Sequence, residues 1–338
     1  MEMGAVVAAE RGFADAEQLA DLVREVFGTD RRITALERLP NGSKKGVYRT
    51  TLDDRTRAIV YVWSPEEDYW DGLPPEHAAD PTSPFAHSSG IDLFEAATHR
   101  LESIGVRSPR ALFIDRSKKL YPAEIAVAED VTGGTLEAVL ERDPEAGGAA
   151  LTQLAQMLGA MRRYRAPGFG KVAVVDSGAT ASSVTCALAP RVAGLATSAD
   201  AAARDPRAER DRALLQDKLF ALYEQVEPRS EFAVVHGELG PDHVLIGPDG
   251  EPVLIDIEGL MYCDVEVEHC WTKMRFQQHY EPLRVEGLDP RRLEYYRYTM
   301  HLGLVGGPLR IADGDFPNRD WMLRLADQHL TQALGYEV

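Results

Sequence analysis

The chain has 338 residues, more than one hydrophobic core usually organises, so two lobes are expected. Its 54 acidic residues outnumber 37 basic ones, and the resulting formal charge of −17 excludes a nucleic-acid partner, which would be held by clustered Lys and Arg. No apolar run reaches ~18 residues, and "MEMGAVVAAERGF" carries acids where a signal peptide carries bases, so no membrane partner and a cytoplasmic location are expected.

In chain order the first element is a helix. Leu19, Leu22, Val23, Val26 and Phe27 recur at helical spacing, Asp15 and Gln18 form a capping box, and Gly28 is the stop. The period then falls to that of strands: "ITALERLPNGSKKGVYRTTL" and "RAIVYVW" read as three short strands, the first turn being "PNGSKKG". The Pro-, acid- and aromatic-rich stretch "SPEEDYWDGLPPEHAADPTSPFAHSSG" reads as a surface loop, with Tyr69 and Trp70 either packed on the sheet or closing over a planar ligand. A helix follows at about 92–104, where Phe94, Ala97, Leu101 and Ile104 line one face and Gly105 ends it. "ALFID" and "AEIAVAED" are strands. After "VTGGTLEAVL" the chain is mostly helical, with Leu215, Leu219 and Leu222 on one face of a later helix and an Ala-rich run, 178–206, read as a helix plus connector. Tyr295, Tyr296 and Tyr298 are core candidates at helical spacing. Cys186, Cys263 and Cys270, an odd number without C-x-x-C spacing, read as reduced structural thiols.

One segment interrupts the helices. In "VVHGELGPDHVLIGPDGEPVLIDIEG" (234–259) apolar runs bracket His236, Glu238 and His243, and the returning strand delivers Asp256 and Glu258. This reads as a single β-hairpin with polar residues at its tip, facing a ligand between a small sheet lobe and a helical lobe. A carboxylate able to take a proton, a second ligand and a strand-end carboxylate together could hold Mg²⁺ and orient a nucleophile, which is the inventory of phosphoryl transfer. A hairpin with a solvated acidic turn, "GPDG", is the alternative reading of the same residues.

"HGELGPDHVLI…VLIDIEG" resembles the catalytic and metal-binding segments of the aminoglycoside phosphotransferase and choline kinase group, whose pattern is His-Gly-Asp, an Asn five residues after that Asp, and a strand ending in Ile-Asp. Other matches occur in order along the chain. "NGSKKGVYRT" sits at the family's phosphate-covering turn, Glu95 in "DLFEAATHRL" resembles its helix glutamate, and "AVAEDVTGGTL" resembles its hinge. "YRAPGFGKV" resembles the segment before its lower lobe, and Asp264 and Glu268 fall at its later acidic pair. The resemblance implies an α+β, bilobal, protein-kinase-like fold: a small β-rich N-lobe over 1–131 with one internal helix, a hinge at about 129–131, and a larger helical C-lobe over 132–338. It also implies transfer of the γ-phosphoryl group of ATP or GTP, with Mg²⁺ or Mn²⁺, to a hydroxyl of a small molecule such as an aminoglycoside, macrolide or nucleoside antibiotic. By the same resemblance Glu238 would accept or orient the hydroxyl proton, and Asp256 and His243 would be metal ligands. Gly42, Ser43, Lys44, Lys45, Tyr61 and Glu95 would surround the phosphates, and backbone groups from Glu129 to Val131 would meet the adenine edge.

Three positions depart from the family pattern. Glu238 stands for its Asp, His243 for its Asn, and Tyr61 occupies the strand position of the phosphate-binding Lys, which removes the usual Lys partner of Glu95. In one reading Lys44, Lys45 or an Arg from elsewhere supplies the missing charge. In another the site is impaired and the protein is a binding module, and a metabolite kinase of the same fold is a third. His236 reads as a brace for the loop, and Glu258 as support for it or as a surface acid. The acids Asp264, Glu266 and Glu268 would draw a polycation towards the lower lobe. No Gly-x-Ser-x-Gly elbow and no dinucleotide glycine fingerprint is present, which excludes the corresponding hydrolases and dehydrogenases.

Overall fold

A computed structural model of the protein describes residues 11–40, 42–70, 88–178, 194–195 and 197–338. The expectations for residues 1–10, for most of the loop after Trp70, for Cys186 and for most of the Ala-rich run therefore lie outside the described residues. The fold is a β-sheet N-terminal region followed by a helical C-terminal region. Described residues of Met1–Gly72, Ala111–Asp130 and Arg310–Leu323 gather into one compact unit, and those of Leu73–Arg110, Val131–Leu309 and Arg324–Val338 into a second.

The first unit is built on an antiparallel sheet. Its strands β1 (Ile33–Arg38), β2 (Gly46–Leu52), β3 (Arg57–Trp63), β4 (Ala111–Asp115) and β5 (Glu124–Glu129) run in the order β1-β2-β3-β5-β4. Helix α1 (Ala20–Phe27) is introduced by the expected capping box: Asp15 Oδ1 accepts from the Gln18 N–H at 2.9 Å, and Gln18 Oε1 accepts from the Asp15 N–H at 3.0 Å. Leu19 and Leu22 of this segment pack with Tyr48, Ala58, Val60, Val62, Ile125 and Val127 into one core. Alternation along the strands then sends Val47, Ile59, Tyr61, Ala126 and Ala128 to the other face. β3 is buried over five consecutive residues because both of its faces are covered, which is why it reads as a continuous apolar run.

A buried carboxylate organises the edge of this sheet. Glu67 is fully buried and accepts from Arg38 through Nη2 at 2.7 Å and Nε at 3.0 Å. It also accepts from the Tyr48 hydroxyl, which itself accepts from the Ala14 N–H at 2.9 Å. A Cβ at residue 46 would lie 2.5 Å from the Glu67 carboxyl carbon, so Gly46 is required there by close approach. Arg11 fastens the next stretch: it pairs with Asp315 at 2.6 Å, donates to the Glu66 carbonyl at 2.8 Å, and lies over the Tyr69 ring at 4.1 Å. Tyr69 packs edge-on against Phe316 and Trp70 packs on the same cluster, so both loop aromatics have the packing role.

The second unit contains α2 (Ile91–Ser103), α3 (Leu136–Arg142), α4 (Pro144–Arg163), α5 (Arg212–Tyr223), α6 (Val265–Phe276) and most of α7 (Pro290–Ala312) and α8 (Arg319–Leu334). α2 buries Ile91, Phe94, Ala97 and Leu101, and it groups with this unit because it packs on the turn Ile257–Gly259 and on the short helix Val172–Asp176. Tyr295, Tyr296 and Tyr298 are core residues. Cys263 and Cys270 are buried free thiols, and burial pushes Cys270 up to about 12, so both are inert structural groups. No helix among the described residues is long and apolar enough to cross a membrane.

The expected single hairpin is not what forms. β9 (Val244–Ile246) and β10 (Pro252–Leu254) make a hairpin closed at Gly247–Gly250, whereas β8 (Phe232–Val235) joins β6 (Arg165–Ala166), β7 (Gly170–Lys171) and β11 (Met261–Cys263) in the order β6-β8-β11-β7. All four residues of β8 are buried, so it takes antiparallel partners on both edges, β6 and β11, and the polar loop leads from this sheet to the hairpin. Replacing Tyr48 by Phe removes both the Ala14 acceptor and the Glu67 donor. It is expected to lower stability by about 1–3 kcal/mol, read as a lower urea midpoint at unchanged slope.

Candidate active site

The loop after β8 is fixed by groups distant in sequence. Glu268, in the first turn of α6, accepts from the His236 N–H at 2.5 Å and from the Gly237 N–H at 3.4 Å through the same oxygen. His236 in turn meets the Ile255 carbonyl through Nε2 at 2.9 Å. A carbonyl only accepts, so the His236 proton sits on Nε2 and Nδ1 is bare. Among the described residues neither His236 Nδ1 nor Glu268 Oε1 has a hydrogen-bond partner. Burial pushes the His236 imidazole down to about 4, and burial pushes Glu268 up to about 7 against the two N–H donors. His236 is therefore neutral near pH 7 and braces the loop.

His243 lies seven residues further on, with its ring stacked on that of His236 at 5.8 Å and 25°. Its Nδ1 faces the Glu238 carbonyl at 2.9 Å, which places a proton on Nδ1, so that in the neutral ring it is Nε2 that carries the bare lone pair. Nε2 stands 4.0 Å from Asp256 Oδ2 and 3.8 Å from Asp242 Oδ2. Asp242 is held by Arg275, which reaches its two oxygens at 2.6 and 2.7 Å. Asp256 has φ 56° and ψ 46°, a left-handed conformation at an exposed carboxylate, and such backbone strain concentrates at functional sites. Glu238 is half-buried on the same loop. The segment after β5 supports β9: the Gly133 N–H donates to the Ile246 carbonyl at 3.0 Å, and a Cβ there would sit 2.2 Å from that oxygen, so only Gly fits.

The acidic cluster has a different role from the expected one. Asp264 accepts from Arg292 and from Tyr296, each at 2.6 Å, and from Arg229 at 3.0 Å. Glu266 accepts from Arg229 at 2.7 and 2.9 Å and from the Asp289 N–H at 2.9 Å. Burial alone would raise Glu266, but the Arg229 guanidinium holds it below its ordinary value. With Glu268 holding the loop, all three acids are buried in internal contacts and present no surface to a polycation. Glu258 is likewise buried.

In the first unit the turn residues diverge. Lys44 Nζ lies over the Trp70 ring at 5.6 Å, and the Trp70 indole donates to Ser43 Oγ at 3.1 Å. Lys45 is buried, with Nζ over the Tyr61 ring at 5.4 Å. A Cβ at Gly42 would approach the Lys45 carbonyl at 2.9 Å. Glu129 ends β5 opposite Ala58, Asp130 is anchored to Arg49 at 3.2 Å and Arg57 at 2.8 Å, and the chain enters the second unit at Val131. Glu95 is half-buried on α2, whose packing on Ile257–Gly259 brings that helix beside the segment that follows Asp256. The sequence reading missed the Asp242–Arg275 and Glu67–Arg38–Tyr48 contacts, which join residues 19 to 33 positions apart with no local pattern to mark them.

Within 236–256, His243 and Asp256 are the pair whose spacing would suit a shared divalent ion. Two bonds of about 2.1 Å reach about 4.2 Å, so His243 Nε2 and Asp256 Oδ2 could share one ion in place. Among the described residues no group of three or more His, Cys, Asp and Glu is arranged for a metal, so phosphate oxygens and water would complete its coordination. The titration of Glu268 has a definite sign. Above the ordinary carboxylate range the folded chain keeps a proton that the unfolded chain has lost, so this group's contribution fades as pH rises through about 7. His236 acts oppositely, its contribution being lost as pH falls from about 6.5 towards about 4. Glu268→Gln is expected to gain stability relative to wild type between about pH 5 and about pH 8, read as a converging or reversing difference in melting temperature.

The spectinomycin phosphotransferase APH(9)-Ia, solved with ADP and spectinomycin, superposes with a TM-score of 0.59 at 12% identity, covering 95% of this chain and 98% of that one. LicA, solved with AMP, gives 0.61 at 11% identity over 96% and 100%. A thermostable mutant of the aminoglycoside phosphotransferase APH(4)-Ia gives 0.54 at 18% identity over 94% and 99%. No curated protein matches the sequence significantly. These likenesses show the kinase-like phosphotransferase fold, and the model of the APH phosphotransferase enzyme family matches residues 35–298. The chain belongs to the phosphotransferase enzyme family.

Proposed function

We propose that the protein transfers the γ-phosphoryl group of ATP or GTP to a hydroxyl group of a small molecule. The observation that carries this reading is the approach of a bare His243 Nε2 to Asp256 Oδ2 at 4.0 Å, on the loop and strand end that also present Glu238. Family membership supplies the reaction class. Among the similar structures several hold ADP, AMP or GDP, and several hold spectinomycin, hygromycin B or kanamycin, which supports a nucleotide donor and a hydroxylated antibiotic-like acceptor. Because Asp264, Glu266 and Glu268 are engaged internally, attraction of a polycation by those acids does not argue for an aminoglycoside over a neutral acceptor.

In this mechanism Glu238 orients the acceptor hydroxyl and takes up its proton as the oxygen–phosphorus bond forms and the bond from the γ-phosphorus to the departing nucleoside diphosphate breaks. The tie of its own carbonyl to His243 Nδ1 limits how far this part of the loop can move, so the longer Glu side chain works from a fixed backbone. Asp256 and His243 would hold a divalent ion, Mg²⁺ or Mn²⁺. When bound, such an ion offsets phosphate charge. Imidazole is a softer ligand than an amide oxygen, so tolerance of Mn²⁺ goes with His243. Gly42 to Lys45 would cover the phosphates, and the backbone from Glu129 to Val131 would meet the base. Action in the cytoplasm, where nucleotide is abundant, completes the proposal.

Transfer of labelled γ-phosphate from ATP and GTP to a panel of hydroxylated antibiotics and metabolites tests the reading. Glu238→Gln is expected to reduce turnover by about 10²- to 10⁴-fold while ADP affinity is unchanged. Transfer that proceeds at the wild-type rate in this variant would remove Glu238 from the chemistry.

A further inference from the structure

Sites that transfer phosphoryl groups in kinase-like folds place a lysine on the third strand to hold the nucleotide phosphates. Here the third strand carries Tyr61 at that position, with Val62 opposite Gly46 and Tyr61 opposite Val47. Lys45 immediately precedes β2, and alternation sends it to the face shared by Val47 and Tyr61, away from the α1 core. Its Nζ reaches the Tyr61 ring at 5.4 Å. A lysine 8% exposed is uncommon, because burying an ammonium is costly unless something holds the charge. The Tyr61 ring face contributes to holding it, and such an attraction grows when water is excluded.

Lys44 goes elsewhere. It lies over Trp70, whose indole is tied to Ser43 Oγ at 3.1 Å, while the Tyr69 N–H donates to the Ser43 carbonyl at 2.8 Å. The turn is thus fastened by residues 69 and 70 on one side, and its second lysine is delivered across the strand pair to the ring that replaces the strand lysine. We infer that Lys45 is the phosphate-binding lysine of this protein, supplied from the turn before β2, and that Tyr61 is the positioning residue that holds its ammonium where a third-strand lysine would place one. This rests on the nucleotide-dependent reading above. The ring contact accounts for an aromatic residue at Tyr61: a lysine at both positions would set two ammoniums against each other, whereas a ring stabilises one.

Affinity for ADP and for adenosine, measured by calorimetry in the presence of Mn²⁺, tests the assignment. Lys45→Met is expected to weaken ADP about 10- to 100-fold, with adenosine little changed, while Lys45→Arg retains most of the affinity. Tyr61→Phe, which keeps the ring, is expected to bind like wild type, and Tyr61→Leu to bind several-fold more weakly. The double variant Lys45→Met, Tyr61→Lys moves the charge back to the strand and is expected to recover ADP binding relative to Lys45→Met. Equal ADP affinity in wild type, Lys45→Met and Lys45→Arg would overturn the assignment and leave the nucleotide reading standing. Failure of wild type itself to bind ADP would overturn both. A Tyr61→Phe variant as weak as Tyr61→Leu would overturn the positioning role of the ring.

Discussion

The second unit's site depends on one buried carboxylate. Glu268 accepts from the consecutive N–H groups of His236 and Gly237 and so fixes where the chain leaves β8. From there the ties are sequential: His236 to the Ile255 carbonyl, the His236 ring to the His243 ring, and His243 Nδ1 to the Glu238 carbonyl. Each link fixes a tautomer or a ring plane, and the last leaves a bare nitrogen beside Asp256. The only regular element of the loop is the single 3-10 turn Pro241–His243, and side chains satisfy several of the backbone groups that a longer helix or sheet would otherwise satisfy.

The same economy of charge governs the rest of the chain. Several acids with buried side chains have charged or hydroxyl partners: Glu67 with Arg38 and Tyr48, Asp130 with Arg49 and Arg57, Asp264 and Glu266 with Arg229, and Asp264 also with Arg292. Replacing one partner of such a pair leaves an uncompensated charge, which is why these contacts fix geometry more than they add stability. Asp256 differs in being exposed and backbone-strained, the combination expected of a residue kept for a ligand.

Much of this was legible in the sequence. The capping box at Asp15 and Gln18, the strand periods of β1 to β5 and the apolar face of α2 are local signals, and all three form. The motif "HGELGPDHVLI…VLIDIEG" carried the family because spacing along one loop and one strand survives divergence. What failed was non-local. β8 reads from the sequence as part of a hairpin with its neighbours, because nothing near it announces β6 and β11 as partners. Asp264 and Glu266 read from the sequence as a surface field, because the arginines that neutralise them, Arg229 and Arg292, lie 28 to 37 residues away. The route of Lys45 to Tyr61 needed the strand register, which the turn residues alone do not specify.

Binding of ADP to wild type and to Asp256→Asn, titrated with and without Mg²⁺ or Mn²⁺, tests most directly whether the loop and strand end form a metal–nucleotide site. The account predicts that the ion tightens ADP binding to wild type and that this dependence on the ion disappears in Asp256→Asn, which should remain folded because the side chain is exposed. Ion-dependent binding that persists unchanged in the variant, or binding by wild type that is indifferent to the ion, would contradict it.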